Sequence, residues 1–142
     1  MAGGARVGAS ITLTDVSSIQ VADETFVAAD GAAVAAVLGG PNNWRAWWPD
    51  LTLEVREDRG DKGIRWSVSG ALSGTMEVWL QPCLDGVILH YFLHAEPQGA
   101  QRMSPRGLLA ANRVRRVAGR EMSFGIKARL EAGRPAGVTP AA

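Results

Sequence analysis

A chain of 142 residues, 46% hydrophobic and 20% charged, has the size and composition of one globular domain. It is long enough to bury roughly two thirds of the surface its unfolded form exposes. A formal net charge of +1 excludes a strong overall field for nucleic acid or an anionic membrane, and the single Cys83 excludes an internal disulfide and a cysteine metal site. No apolar run reaches the roughly 20 residues of a membrane span, and Met1 to Gly8 lacks the apolar core of a secretory leader, so a cytoplasmic protein is expected.

Residues 1–10 are small and glycine-rich, and residues 133–142 have neither periodicity nor apolar mass; both read as flexible. From Val16 to Ala28, β-branched and aromatic residues alternate with period two, with Ile19, Val21, Thr25 and Val27 on one side, which predicts a first strand. Asp30 stands as an N-cap before Ala32 to Leu38, where Val34, Val37 and Leu38 fall at helical spacing, and Gly39-Gly40-Pro41 stops that helix. Trp44, Trp47 and Trp48 repeat the spacing in a second short helix ended by Pro49.

After Leu51 the period changes to two. Leu51, Leu53 and Val55 alternate with polar residues, residues 58–63 form a polar turn, and Ile64, Trp66 and Val68 alternate again. Ser69-Gly70 is a turn or a bend before a strand from Leu72 to Leu80, and Asp85-Gly86 predicts a hairpin into Val87 to Ala95. Ser104 and Pro105 then supply an N-cap and a first helical residue for a helix running to Ala132, with Gly133 as its stop. On its periodicity Val114, Val117, Ala118, Met122, Gly125 and Ala128 share one face and Arg113, Arg116, Arg120 and Lys127 the other. Strand, two short helices, antiparallel strands and a long amphipathic helix define the α+β class.

In this order the chain resembles the START-like or SRPBCC superfamily, the helix-grip fold of the birch-pollen-allergen type. Within it the bacterial proteins labelled polyketide cyclase/dehydrase and lipid transport are most similar. The residues that carry the resemblance are Ala29 to Val34 with Val37-Leu38, the stretch Trp44 to Leu51, Gly74 to Pro82 before a glycine hairpin, and Ile126 to Glu131, similar to the Leu-Lys-x-x-Leu-Glu ending of the family. The match covers about residues 16–132 as a single domain, with four strands between the short helices and the last helix where full-size members have six. The resemblance implies a curved antiparallel sheet with two short helices and a long C-terminal helix packed across it. It further implies a hydrophobic or amphipathic ligand held between sheet and helix, and in some members cyclisation or dehydration of a polyketide chain.

The ligand-lining residues expected on this reading are Trp44, Trp47, Trp48, Trp66, Val78, Leu80, Leu89, Tyr91, Val117, Glu121, Met122 and Gly125. The alternative for the tryptophans is a hydrophobic plug in which every indole N–H needs a partner. Family analogy turns Val78, Leu80, Val87, Leu89, Tyr91 and Leu93 inward and Glu77, Trp79, His90, Phe92 and His94 outward; the opposite assignment would bring the histidines inside. An outer face with Trp79, Ile88 and Phe92 is apolar enough to mark a homodimer surface. Glu121 falls within the apolar face of the last helix, so it is either paired with an arginine such as Arg65 or Arg129 or a cavity carboxylate; with Tyr91 it is the candidate acid or base. His90 and His94, four apart on a strand, stand roughly 13 Å apart and make no metal pair. No cofactor motif is present, and the basic stretch Arg113 to Arg120 reads as a solvated helix face, not a nucleic-acid site.

Overall fold

A computed structural model describes residues 17–99 and 103–132. The expected flexible ends, 1–10 and 133–142, lie outside the described residues, as do Val16 and Gly133. Strand β1 spans Ile19–Val27, helix α1 Gly31–Leu38, α2 Pro41–Trp47, β2 Leu51–Asp58, β3 Gly63–Gly70, β4 Leu72–Cys83, β5 Gly86–Pro97 and α3 Pro105–Glu131. Each boundary follows local chemistry. The Asp30 carboxylate accepts the Ala33 N–H at 2.8 Å and caps α1, and Ser104 Oγ accepts the Gly107 N–H at 3.0 Å to cap α3. Proline opens both α2 and α3, where its missing N–H has no partner to lose. Gly70, at a φ of +100°, turns β3 into β4, so the two remain separate strands paired antiparallel.

The five strands form one antiparallel sheet in the order β1-β5-β4-β3-β2. A register shift between Val55 and Glu57 bulges β2 against β3. Alternation sends Val21 and Val27 of β1, Leu89, Tyr91 and Leu93 of β5, Met76, Val78 and Leu80 of β4, and Ile64, Trp66 and Val68 of β3 into the core. Glu77, Trp79, His90, Phe92 and His94 take the other parity, less buried or exposed. This is the α+β architecture expected, with α3 laid against β1 across the inner face.

The helix α3, roughly 40 Å long at about 1.5 Å per residue, meets the sheet on a different face from the one its periodicity suggests. Leu108, Ala111, Ala118, Met122, Ile126 and Leu130 pack on the core, whereas Val114 is 60% and Val117 48% exposed and Glu121, Gly125 and Ala128 are exposed. The buried face is rotated by roughly a third of a turn, using about 3.6 residues per turn. The physical reason is that two polar residues, Asn112 and Arg115, sit on the inward side because each has a specific partner there. Apolar periodicity is blind to such partners.

Those partners also finish the sheet. β1 is an edge strand, and its free backbone groups are met by side chains of α3. Asn112 takes the Gln20 N–H and gives to the Ser18 carbonyl; Lys127 gives to the Phe26 carbonyl at 2.8 Å; Glu131 takes the Ala28 N–H at 2.7 Å. Asp23 adds an ion pair to Arg120 at 3.0 Å. An edge so covered offers little template for a second chain.

Candidate functional site

Four aromatic residues from three parts of the chain meet beneath α3. Trp48 follows α2, its backbone N–H donating to the Trp44 carbonyl at 2.8 Å, and its indole lies parallel to Tyr91 of β5, at 9° between planes and 6.1 Å between centroids. Trp66 of β3 meets Trp48 edge-on at 5.9 Å and Trp44 at 5.7 Å. Such pairs are worth about 0.5–1.5 kcal/mol each beyond their burial. Trp44 is tied to the end of α1 by its Nε1, which donates to the Leu38 carbonyl at 2.6 Å. Trp47 and Trp48 differ as their helical positions require: Trp48 is buried and Trp47 half-buried.

The cluster is not a simple plug. The Trp48 Nε1, the Trp66 Nε1 and the Tyr91 hydroxyl are all buried, and none meets a partner at good hydrogen-bond geometry among the described residues, although the Trp48 indole stands close enough to the Tyr91 hydroxyl to act on its pKa. A buried polar atom left without a partner costs about 1–3 kcal/mol, a cost that an ordered water or a bound polar group would remove. Burial pushes the Tyr91 phenol well above its ordinary pKa, while the Arg115 charge and the nearby Trp48 indole act in the opposite direction.

Arg115 brings a cation to this nest. Its Nη1 and Nη2 donate to the two carboxylate oxygens of Asp50 at 3.0 and 2.7 Å, which holds the Asp50 carboxyl below its usual range. The pair is asymmetric: the arginine side chain is 11% exposed and the aspartate 52%. One turn further along α3, a Cβ on Gly119 would stand 2.6 Å from Cε2 of Tyr91, so glycine is what lets the phenol ring reach the helix backbone.

Of the residues expected at the site, Trp48, Trp66, Val78, Leu80, Leu89, Tyr91 and Met122 belong to one buried core, with Trp44 and Trp47 packed against it. Val117, Glu121 and Gly125 do not join them. They sit on the outward side of α3, so the expected cavity carboxylate is a solvated surface group. Arg115, Asp50 and Gly119 were missed. Asp50 and Arg115 are 65 residues apart in sequence, and no motif links them.

Elsewhere, an open cleft of about 540 Å³ at one end of the sheet is lined by Asp30, Asp61 and Lys62 together with Leu84 and Asp85 of the β4–β5 turn, away from the aromatic nest. On the outer sheet face the His90 ring stacks on Trp79 at 4.6 Å and lies parallel to Phe92 at 6.4 Å, with its Nε2 2.9 Å from the Gln81 Oε1. No group of three or more His, Cys, Asp or Glu suited to a metal ion occurs among the described residues. No described helix is long and apolar enough to cross a membrane.

No family model matches the chain, and no curated protein matches it. Solved structures do. The di-domain ARO/CYC StfQ from the steffimycin biosynthetic pathway superimposes with a TM-score of 0.61 at 15% identity, over 84% of this chain and 52% of that one. The chain has the helix-grip fold. The Aha1 dimer from Colwellia psychrerythraea (TM-score 0.55, 12% identity, 82% of this chain and 99% of that one) is similar, as is a protein from Thermus thermophilus (0.52, 14%, 82% and 99%). At these identities the likeness carries the helix-grip fold and nothing finer. The sheet has four strands between the short helices and α3, as the sequence indicated.

Proposed function

We propose that this START-like domain binds a hydrophobic or amphipathic small molecule, lipid-like or polyketide-like, between the inner sheet face and α3. The observation that carries the reading is the aromatic nest of Trp48, Trp66 and Tyr91, flat surfaces whose three polar atoms are buried and lack a well-formed hydrogen bond among the described residues. The fold it shares with StfQ, an ARO/CYC protein of a biosynthetic pathway, supports the same direction. Cyclisation or dehydration of such a ligand would rest on holding the chain in a reactive conformation. Tyr91 is the acid or base candidate inside the domain, Glu121 being on the outside.

Tryptophan fluorescence, titrated with a fatty acid and with a flat polycyclic aromatic, tests the binding. Saturable spectral shifts that are lost in Trp48→Ala are expected. A flat response to both ligands, with native mass spectra of protein from its own host free of any bound small molecule, refutes it.

One observation favours a second reading, a dimerising interaction module. Trp79 is 41% exposed on an outer sheet face that also carries Phe92 and Ile88, and the similar Aha1 structure is of a dimer. Sizing chromatography of the wild type and Trp79→Ser decides it: a dimer that the substitution dissociates supports the module, and a monomer at all concentrations removes it.

A further inference from the structure

We infer that the nest selects ligands with an anionic head group, a carboxylate above all, whose oxygens take Arg115, Tyr91 and Trp48 while Asp50 is released to water. This rests on the ligand-binding reading above and names the class of ligand within it.

The donor and acceptor inventory supplies the first step. An indole N–H and a guanidinium are donors only, and a phenol both donates and accepts. A ligand group that meets the Trp48 N–H and Arg115 must therefore be an acceptor. A hydrocarbon end would offer the buried Trp48 Nε1 and Tyr91 hydroxyl no acceptor or donor beyond each other. A carboxylate offers two oxygens with about four lone-pair positions, enough for a bidentate guanidinium and one or two neutral donors.

The second step is the geometry of the resident ion pair. Asp50 already binds Arg115 in the bidentate manner that an incoming carboxylate would use. It binds from the solvent side, with 52% of its side chain exposed against 11% for the arginine. Releasing Asp50 returns an exposed carboxylate to water at small cost, whereas leaving the largely covered Arg115 unpaired is costly. Exchange of one carboxylate for another keeps the guanidinium paired throughout. The Asp50 carboxylate is thus an internal stand-in for the ligand's head group, and it closes the nest when no ligand is bound.

The third step is convergence. Asp50, which Arg115 holds, stands two residues after Trp48, and the Trp48 indole lies parallel to the Tyr91 ring at 6.1 Å between centroids, so the guanidinium is anchored beside the nest. The Tyr91 ring is held there by Gly119, one helical turn from Arg115 on the same face.

Dodecanoate and 1-dodecanol share one chain and differ in the head group, and their affinities for the full chain at neutral pH give the test as a ratio. The acid is expected to bind at least about tenfold more tightly than the alcohol, the scale of a charge-assisted hydrogen-bonded pair. Arg115→Gln should bring the ratio close to one. Asp50→Asn, at an exposed position, should raise the ratio by removing the competing carboxylate, and Tyr91→Phe should lower it severalfold. Equal binding of acid and alcohol by the wild type, or a ratio untouched by Asp50→Asn and Tyr91→Phe, overturns the head-group assignment and leaves ligand binding standing. Binding of neither compound overturns both.

Discussion

The side-chain amide of Asn112 accepts the backbone N–H of Gln20 at 3.0 Å and closes a bracket on the sheet edge by donating to the Ser18 carbonyl, also at 3.0 Å. The same Nδ2 reaches the Leu108 carbonyl of its own helix at 3.0 Å. One side chain therefore replaces the missing neighbour strand for a stretch of β1 and fixes the rotation of α3 about its axis. Asn112→Leu removes both bonds and leaves two edge groups to solvent, with an expected loss of about 1–3 kcal/mol. Urea unfolding followed by circular dichroism checks it. Asn112→Asp keeps the acceptor for Gln20 but loses the donor, and should fall between the two. A leucine variant as stable as the wild type would show that the bracket contributes nothing.

Gly119 and Tyr91 form the second fixed contact. A methyl group at residue 119 meets the phenol ring at 2.6 Å, well inside van der Waals distance. The ring is buried between α3 and Trp48, so neither side yields readily. Gly119→Ala gains intrinsic helix propensity of up to about 1 kcal/mol, yet overpacking of this kind typically costs about 1–3 kcal/mol. Net destabilisation is the expected outcome, read as a lower denaturant midpoint with an unchanged slope. Gly125→Ala is the control. Nothing lies within 4 Å of a Cβ there, so propensity alone acts and the helix is stabilised. Stabilisation of both variants alike would mean that the ring is free to move.

Much of the fold was legible because its signals are local. The Asp30 and Ser104 caps, the proline that opens α3, and the alternation of Ile64, Trp66 and Val68 all depend on neighbours in sequence. Strand parity on β4 and β5 followed the family analogy, with Val78, Leu80, Leu89 and Tyr91 turned inward. The face of α3 was not legible. Val114, Val117 and Phe124 are apolar yet exposed, while Asn112 and Arg115 are polar yet turned inward, because their partners, Gln20 and Asp50, are 92 and 65 residues away. Rotated in this way, the helix turns Glu121 from the expected site residue into a surface residue, and Arg115 takes the charged position beneath the helix. Sequence spacing alone carries no record of that exchange.

The Arg115–Asp50 pair gives the fold an acid-sensitive clasp between α3 and the start of β2. Hydrogen bonds from Arg115 lower the Asp50 pKa, so the folded state holds this carboxylate ionised more firmly than the unfolded chain does. The stabilisation is present in full above the ordinary carboxylate value of 3.8 and is lost as pH falls through the lower folded value. Half of the aspartate is exposed, so solvent screening keeps the effect small. Asp50→Asn should be less stable than the wild type at neutral pH, and the two denaturant midpoints should converge at pH values well below 3.8. A gap between them that persists in acid would assign the loss to packing instead of charge.

Tyr91 is the single tyrosine of the chain, so its ionisation can be followed without overlap from another phenol. Desolvation raises its pKa in the folded state above the ordinary 10.0, and the positive Arg115 and the Trp48 indole offset only part of that. A raised folded value means that the native state keeps its proton longer than the unfolded chain. The corresponding stability is complete below pH 10.0 and is withdrawn as pH climbs from there toward the folded value. Tyrosinate absorbance should therefore lag behind that of the denatured chain, which titrates near 10.0, and should rise together with the loss of far-ultraviolet circular dichroism. Binding of a carboxylate ligand at Arg115 should delay it further, because a second negative charge beside the phenolate disfavours ionisation. Phenolate formed near pH 10.0 with the dichroism intact would show that water already reaches the hydroxyl, and the nest would then be an open site instead of a dry one.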